Sequence, residues 1–181
     1  MDSGPTDTPT VTREQLRDAL GRLGVQAGDV LFVHSSLKSL GHMDGGADGA
    51  IDAMVAAVAL LRQGYGGRFS IAPPMAERRR IGPAGHVAVP THATFSQVRT
   101  DGLGGPYDPA VSPSKTGLIT ETLRKRAGAF RSDHPTHSVA ALGPAAELLV
   151  SGHGHCRTLN IDGPHGRLVR WGGKIVFLGV G

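Results

Sequence analysis

The residues that most constrain the fold are 30–33, Val-Leu-Phe-Val, four apolar positions in a row between Gly28-Asp29 and His34. A run that is apolar at every position fits a strand buried on both faces, as in an α/β sheet covered by helices. The run stops at His34, and the chain continues as Ser35-Ser36-Leu37-Lys38-Ser39-Leu40-Gly41, which is small, rich in hydroxyls and carries one cation. Loops that leave the carboxyl end of a buried strand are where open α/β sheets bind ligands. Backbone N–H groups, serine hydroxyls and a lysine suit an anion, most simply a phosphate or pyrophosphate. The same residues would also serve as an ordinary serine-rich β–α connection, so the downstream motifs decide.

Those motifs alternate between two periods. Thr12-Arg13-Glu14-Gln15 is a capping box, and Leu16, Ala19, Leu20 and Leu23 follow at helical spacing up to Gly24. A second helix is expected over residues 48–61, with Ile51, Met54, Val55, Val58 and Leu61 as its apolar stripe and Asp44 and Asp48 at its positive end. Further short apolar strands fall at 86–89, 138–142 and 174–179. Helices fit residues 118–127, 145–150 and 164–169, with Pro144 suited to a first helical position. In the first of these, Leu118, Ile119 and Leu123 are expected to face the core, and Arg124-Lys125-Arg126 to face water. Strands alternating with helices imply an α/β fold with a mostly parallel central sheet and flanking helices. Residues 62–85 hold no period and read as an irregular insert.

At 181 residues the chain is the size of one domain. Residues 1–10 have the composition of a disordered tail, without the basic and apolar regions of a signal peptide. The longest apolar run, 53–61, is too short to span a bilayer, so no membrane partner is expected. Cys156 is the single cysteine, which excludes an intramolecular disulfide and fits a reducing, cytoplasmic setting. Aromatic residues at 4% offer no stacking platform for single-stranded nucleic acid. The run Glu77-Arg78-Arg79-Arg80 reads as a solvated face, so no nucleic-acid partner is expected. The formal net charge of +4 favours an anionic ligand, yet no Gly-x-Gly-x-x-Gly and no Walker motif is present.

Polar loops recur where the strands end. Ser112-Pro113-Ser114-Lys115-Thr116-Gly117 precedes a helix and forms a second anion-competent segment, although either serine would also serve as an N-cap. Arg131-Ser132-Asp133-His134-Pro135-Thr136-His137 is the densest polar motif, and His137 stands one residue before a strand. It is the local candidate for a catalytic or site-organising role, with a structural histidine bonded to a loop carbonyl as the equal alternative. Nine histidines raise a metal alternative, a zinc hydrolase built on His134-x-x-His137 and His153-x-His155-Cys156. Those spacings match no standard finger and His134 precedes a proline, so no metal is expected.

Five segments, in order, resemble the aminoglycoside N3-acetyltransferase family, also called the antibiotic acetyltransferases: residues 23–41, 89–95, 108–126, 129–144 and 166–181. The serine loop at 34–41 and the block 132–143 are the most specific, and the resemblance is lost over 62–85. The resemblance implies an α/β fold distinct from the GNAT acetyltransferases. It implies direct transfer of acetyl from acetyl-CoA to an amine on the deoxystreptamine ring of an aminoglycoside, with a general base and an oxyanion held by backbone N–H groups. Carried onto this sequence, it implies cofactor binding by Ser35, Ser36, Leu37, Lys38 and Ser39, and by Ser112, Ser114, Lys115 and Gly117. His92 and Asp133 are the expected substrate-binding residues, with His137 as the local catalytic candidate. Family members continue beyond the strand at 174–179 into an Asn-Thr…His segment whose histidine is thought to be the main base, whereas this sequence stops at Gly181. The expectation is therefore the N-terminal part, residues 11–181, of one family domain: a weak or inactive transferase of marginal stability, self-associating through an uncovered C-terminal strand. A non-catalytic CoA-binding remnant is the alternative. The positive charge suits the polyanionic cofactor and opposes a polycationic acceptor, which Asp44, Asp101, Asp108 and Asp133 offset only in part.

Overall fold

The structure is a computed structural model that describes residues 10–59, 85–93, 107–155 and 157–180. Most of the irregular insert expected at 62–85, and residues 1–9 of the expected tail, lie outside the described residues. In chain order the elements are β1 (Thr10–Val11), α1 (Arg13–Arg22), β2 (Val30–Ser35), a 3-10 turn (Leu37–Leu40), β3 (His42–Met43), α2 (Gly46–Val58) and β4 (His86–Pro90). There follow α3 (Leu118–Lys125), β5 (Phe130–Arg131), β6 (Val139–Leu142), α4 (Ala146–Val150), a second 3-10 turn (His153–His155), α5 (Pro164–Arg170) and β7 (Lys174–Leu178).

The capping box forms as expected: Gln15 N donates to Thr12 Oγ1 at 3.2 Å and Thr12 N donates to Gln15 Oε1 at 2.9 Å. Thr10, counted with the tail in the sequence, instead pairs with His42 in the small parallel β1–β3 sheet.

The main sheet has the order β5-β6-β4-β2-β7. It is mixed rather than mostly parallel: β2 runs parallel to β4 and to β7, whereas β6 is antiparallel to both β4 and β5. The reason is β5, two residues too short to show any period in the sequence. It lies beside β6, and the loop 132–138 folds the chain back between them, so β6 runs against β4. One consequence positions the site. The loop before β6 lands at the same edge of the sheet as the carboxyl ends of β2, β4 and β7.

Both faces of the sheet are covered, which is why β2 reads as unbroken apolar residues. Leu31 and Val33 join Val87, Val89 and Ala140 against Leu16 and Leu20 of α1, Ile51 and Met54 of α2, and Ile119 and Leu123 of α3. Val30 and Phe32 join Ala88, Val139 and Ala141 against Leu149 of α4 and Leu168 of α5. Each fully buried side chain of this kind contributes about 1.5–3 kcal/mol. The edge strand β7 differs: Val176 and Leu178 are buried, while Ile175 is 63% and Phe177 67% exposed.

Several local expectations change. α2 begins at Gly46, two residues before the expected start at 48, and ends at Val58; Leu61 of the expected stripe lies outside the described residues. Pro144 precedes the N-cap Ala145 instead of opening α4, and α3 is entered from Gly117, not from a serine cap. Leu118 is 60% exposed, because it sits at a cleft mouth and not in the core. Arg124 does not face water: its side chain is 5% exposed and clamps Glu121, donating from Nε at 2.5 Å and from Nη2 at 2.7 Å. No described helix is long and apolar enough to cross a membrane.

Candidate active site

The end of β2 and the start of α3 face one another across an open cleft of about 710 Å³. Ser35, Ser36, Leu37, Lys38 and Gly41 line one wall, and Lys115, Thr116, Gly117 and Leu118 the other. Ser36 N donates to Leu178 O at 2.9 Å, which carries the β2–β7 ladder to the rim of the cleft. The Ser36 and Ser39 hydroxyls bond at 2.9 Å and close the 3-10 turn. α3 has no side-chain N-cap, so the N–H groups of its first turn are left for a ligand or solvent at the positive end of the helix. Lys38 and Lys115 are exposed, one on each wall. The Ser35 hydroxyl is buried and finds no hydrogen-bond partner among the described residues. A buried polar atom left without a partner calls for an explanation, and a bound ligand supplies one. Two lysines, a helix amino end and an orphaned hydroxyl make a cradle that fits an anionic, carbonyl-bearing ligand.

Of the residues singled out for the cofactor, Ser35, Ser36, Leu37, Lys38, Lys115 and Gly117 therefore meet at one cleft. Ser39 supports the turn from behind through Ser36. Ser114 is turned inward, its hydroxyl bonded to Thr116 Oγ1 and Thr120 Oγ1, both at 2.8 Å. Ser112 shapes the preceding turn, its Oγ accepting from Asp108 N at 3.0 Å.

The exit of β4 joins this cleft to a second cluster. Pro90 O accepts from Thr116 Oγ1 at 2.6 Å, and His92 O accepts from Lys115 N at 2.9 Å. Between them, Thr91 O accepts from Ser138 Oγ at 2.7 Å and from Arg131 Nη2 at 2.6 Å. Three consecutive carbonyls thus tie the cleft loop to the segment before β6.

Beyond that junction the imidazoles stand in a row. Ring centroids are separated by 4.8 Å for His92–His137, 5.9 Å for His137–His134, 4.6 Å for His134–His153 and 5.7 Å for His153–His165. His165 then meets Phe32 at 5.7 Å, and Phe32 meets His34 at 5.2 Å. The hydrogen bonds assign neutral tautomers. His134 Nδ1 accepts from Thr136 N at 3.3 Å and from His137 N at 3.1 Å, which leaves its proton on Nε2. His153 Nε2 donates to Thr158 O at 3.3 Å, so its Nδ1 accepts from the Ser132 hydroxyl at 2.9 Å.

Burial first, then the neighbouring imidazoles His137, His34, His134 and His153, hold the His92 pKa down at about 4. Burial and the same neighbourhood hold His165 at about 4, and burial also lowers His134 and His153. Rings this close repel one another when charged, so His92, His134, His153 and His165 are favoured as neutral groups at pH 7.

His137 bonds Thr136 Oγ1 through Nδ1 at 2.9 Å, while its Nε2 has no partner among the described residues. Asp133 is exposed and accepts from Gly154 N at 2.5 Å, so it anchors the 153–155 turn. His153, Thr91, Thr116, Ser138 and His165 belong to this site and were assigned no such part from the sequence. They come from separate segments of the chain, and the pairing of β6 with β4 is what brings Ser138 to Thr91. No described group of three or more His, Cys, Asp or Glu is arranged to hold a metal ion, and Cys156 lies outside the described residues.

An α/β sheet covered on both faces, with a cleft at the carboxyl end of a buried parallel strand, is the architecture of a protein that works on a small molecule at its strand ends. Which such protein is settled by comparison. Residues 32–181 match the family described as aminoglycoside 3-N-acetyltransferase, and this chain belongs to that family. It is 36% identical over 174 residues to an aminoglycoside N(3)-acetyltransferase III of Salmonella sp., covering 93% of this chain and 55% of the relative. Among solved structures, AAC-IIIb in a binary complex with CoASH superposes with a TM-score of 0.71 at 26% identity, over 93% of this chain and 59% of that one. AAC-VIa bound to sisomicin superposes with a TM-score of 0.73 at 25% identity, over 96% and 61%. The chain thus spans little more than half the length of the relatives it matches.

Proposed function

We propose that this chain binds acetyl-CoA in the cleft between residues 35–41 and 115–118 and serves the transfer of its acetyl group to an amine of an aminoglycoside. The observation that carries this is the cleft itself: a lysine on each wall, a helix amino end and an unpartnered serine hydroxyl, joined through β4's exit to a row of imidazoles. The family and the CoASH and sisomicin complexes of its relatives support the same reading.

Lys38 and Lys115 hold phosphate, and Ser35, Ser36, Leu37 and Gly117 border the pantetheine arm, with Ser39, Ser112 and Ser114 shaping the loops that carry them. The amine nitrogen attacks the thioester carbonyl, the C–S bond breaks and the CoA thiolate leaves. The proton lost by the amine is taken by a base. Of the two imidazoles nearest the junction, His92 at about 4 is too weakly basic to keep a proton at pH 7 and suits hydrogen bonding to substrate. His137, with Nε2 free of described partners, is the better acceptor. Asp133 adds a carboxylate for a cationic acceptor. A single cysteine and a CoA-dependent reaction fit the cytoplasm.

Titration of the folded chain with coenzyme A in a calorimeter is expected to show one-site binding, and absence of binding overturns the reading. Given turnover of acetyl-CoA with sisomicin, His137→Ala is expected to lower kcat by about a hundredfold. Full activity in a folded His137→Ala variant removes His137 from the mechanism.

Among the described residues β7 is an edge strand with Ile175 and Phe177 exposed on one face, which supports self-association between two copies through that strand. Size-exclusion chromatography is expected to show a dimer or larger species that Phe177→Lys returns to a monomer. A monomer at all concentrations refutes it.

A further inference from the structure

Arg131 ends β5 and is only partly exposed, yet among the described residues it has no carboxylate within ion-pair distance. Its guanidinium is spent on neutral acceptors from three separate segments. Nη2 donates to Thr91 O at 2.6 Å, and Nε donates to Thr91 Oγ1 at 3.1 Å and to Ser138 Oγ at 3.3 Å. Nη1 donates to Pro109 O at 3.3 Å and to Ser112 O. The ring of Tyr107 floors it at 5.1 Å, and the Tyr107 hydroxyl is itself tied to Ser132 O at 2.8 Å.

Thr91 and Ser138 are fully buried, and each is the immediate neighbour of an imidazole, His92 in one case and His137 in the other. Their hydroxyls bond each other at 3.1 Å, and Nε reaches both. A cation with no ion-pair partner among the described residues costs more to bury than a neutral donor would. What it supplies here is geometry: five N–H groups in one rigid plane, which is how a single side chain can hold three backbone segments at once. A lysine, with one nitrogen, cannot span Thr91, Ser138 and the 109–112 loop together.

We propose that Arg131 is a positioning residue that fixes the spacing of His92 and His137 by clamping Thr91 and Ser138, and holds that pair in register with the cofactor loop through Pro109 and Ser112. It rests on the acyl-transfer reading for its consequence in turnover, but the spacing can be tested without any ligand.

In ¹³C-histidine-labelled protein, with ring signals assigned through His92→Gln and His137→Gln, the parent chain should show a ring-to-ring contact between His92 and His137 and a His92 midpoint near 4. The groups that face His92 are His137 and His134 before β6, His34 of β2 and His153 of the second 3-10 turn. In Arg131→Lys the contact should weaken, and the His92 midpoint should rise toward the ordinary imidazole range as water enters and the rings part. If the parent chain turns over, the same variant should lose about tenfold or more in kcat with little change in the KM for acetyl-CoA. A folded Arg131→Lys with lower thermal stability but an unchanged His92 midpoint and contact overturns the proposal, because Arg131 is then structural only. Should Arg131→Lys not fold, Thr91→Val decides. It removes one acceptor of the clamp while keeping the shape of the side chain, and it should move the His92 midpoint upward by a smaller amount; no movement overturns the proposal. Failure of coenzyme A to bind would strike the functional reading and leave these ring measurements standing.

Discussion

Replacing Lys38 and Lys115 together by glutamate is expected to weaken coenzyme A binding by about a hundredfold or more, with no loss of thermal stability. The two lysines stand on opposite walls of one cleft and are joined by no ion pair among the described residues, so their charge is available to a ligand. A hydrogen bond to a charged group is worth about 1.5–3 kcal/mol, so each lost contact costs roughly tenfold or more. Reversing the sign adds repulsion of the phosphates. Because both side chains are exposed, the effect should shrink as salt rises and the Debye length falls from about 10 Å at 0.1 M to about 3 Å at 1 M. Calorimetry at two salt concentrations checks both parts. Undiminished binding by the double variant would mean that the cofactor does not lie between these walls. A neutral control, Lys125→Ala, removes a lysine that pairs with Glu121 at 2.7 Å outside the cleft and should leave affinity unchanged.

Gly166→Ala is expected to be severely destabilising. A Cβ built on Gly166 would lie 1.8 Å from Ile161 O, 2.3 Å from its carbonyl carbon and 2.5 Å from its Cα. All three are backbone atoms, so no side-chain rotation relieves the overlap, and either α5 or the turn before it must move. α5 carries Leu168 into the core beside Phe32 and holds His165 against Phe32 and His153, so the strain reaches both the second hydrophobic face and the imidazole row. A cost of about 3–5 kcal/mol is in the range of severe core disruptions and corresponds to a Tm lower by roughly 10 °C or more for a domain of this size. Gly21→Ala is the matching control. Gly21 lies within α1, has ordinary helical geometry, and nothing stands within 4 Å of the added methyl. It should leave stability unchanged or raise it by about 0.5–1 kcal/mol, since alanine restricts the unfolded chain more than glycine does. Thermal melts of the two variants side by side make the test. A Gly166→Ala protein that melts with the parent chain would show that α5 can shift at no cost.

The sequence alone determined the parts of this protein that depend on near neighbours. The unbroken apolar run at 30–33 specifies a strand covered on both sides, and both faces are covered. The capping box sets the start of α1 at the residue expected. The serine-lysine loop after β2 and the Ser-x-Ser-Lys segment before α3 are alike in residue type, and residues of both line the two walls of one cleft.

What only the tertiary structure decided is direction and distance. Strand polarity is not written in apolar periodicity, because a short alanine-rich strand such as β6 is equally apolar whichever way it runs. The two-residue β5 and the loop after it turn β6 around and make the sheet mixed. That reversal delivers His137 and Ser138 to the exit of β4, next to His92 and Thr91, which stand some forty-five residues earlier in the chain. It also separates roles that look alike in the sequence: Ser35 and Ser36 border the cleft, whereas Ser112 and Ser114 bond inward and shape it. Arg124 is drawn in from what reads as a water-facing sequence and Arg131 from a polar loop, because Glu121 in one case and backbone carbonyls in the other satisfy their donors. A side chain's residue type states which bonds it is able to make, and the path of the chain through space decides which partners are there to make them.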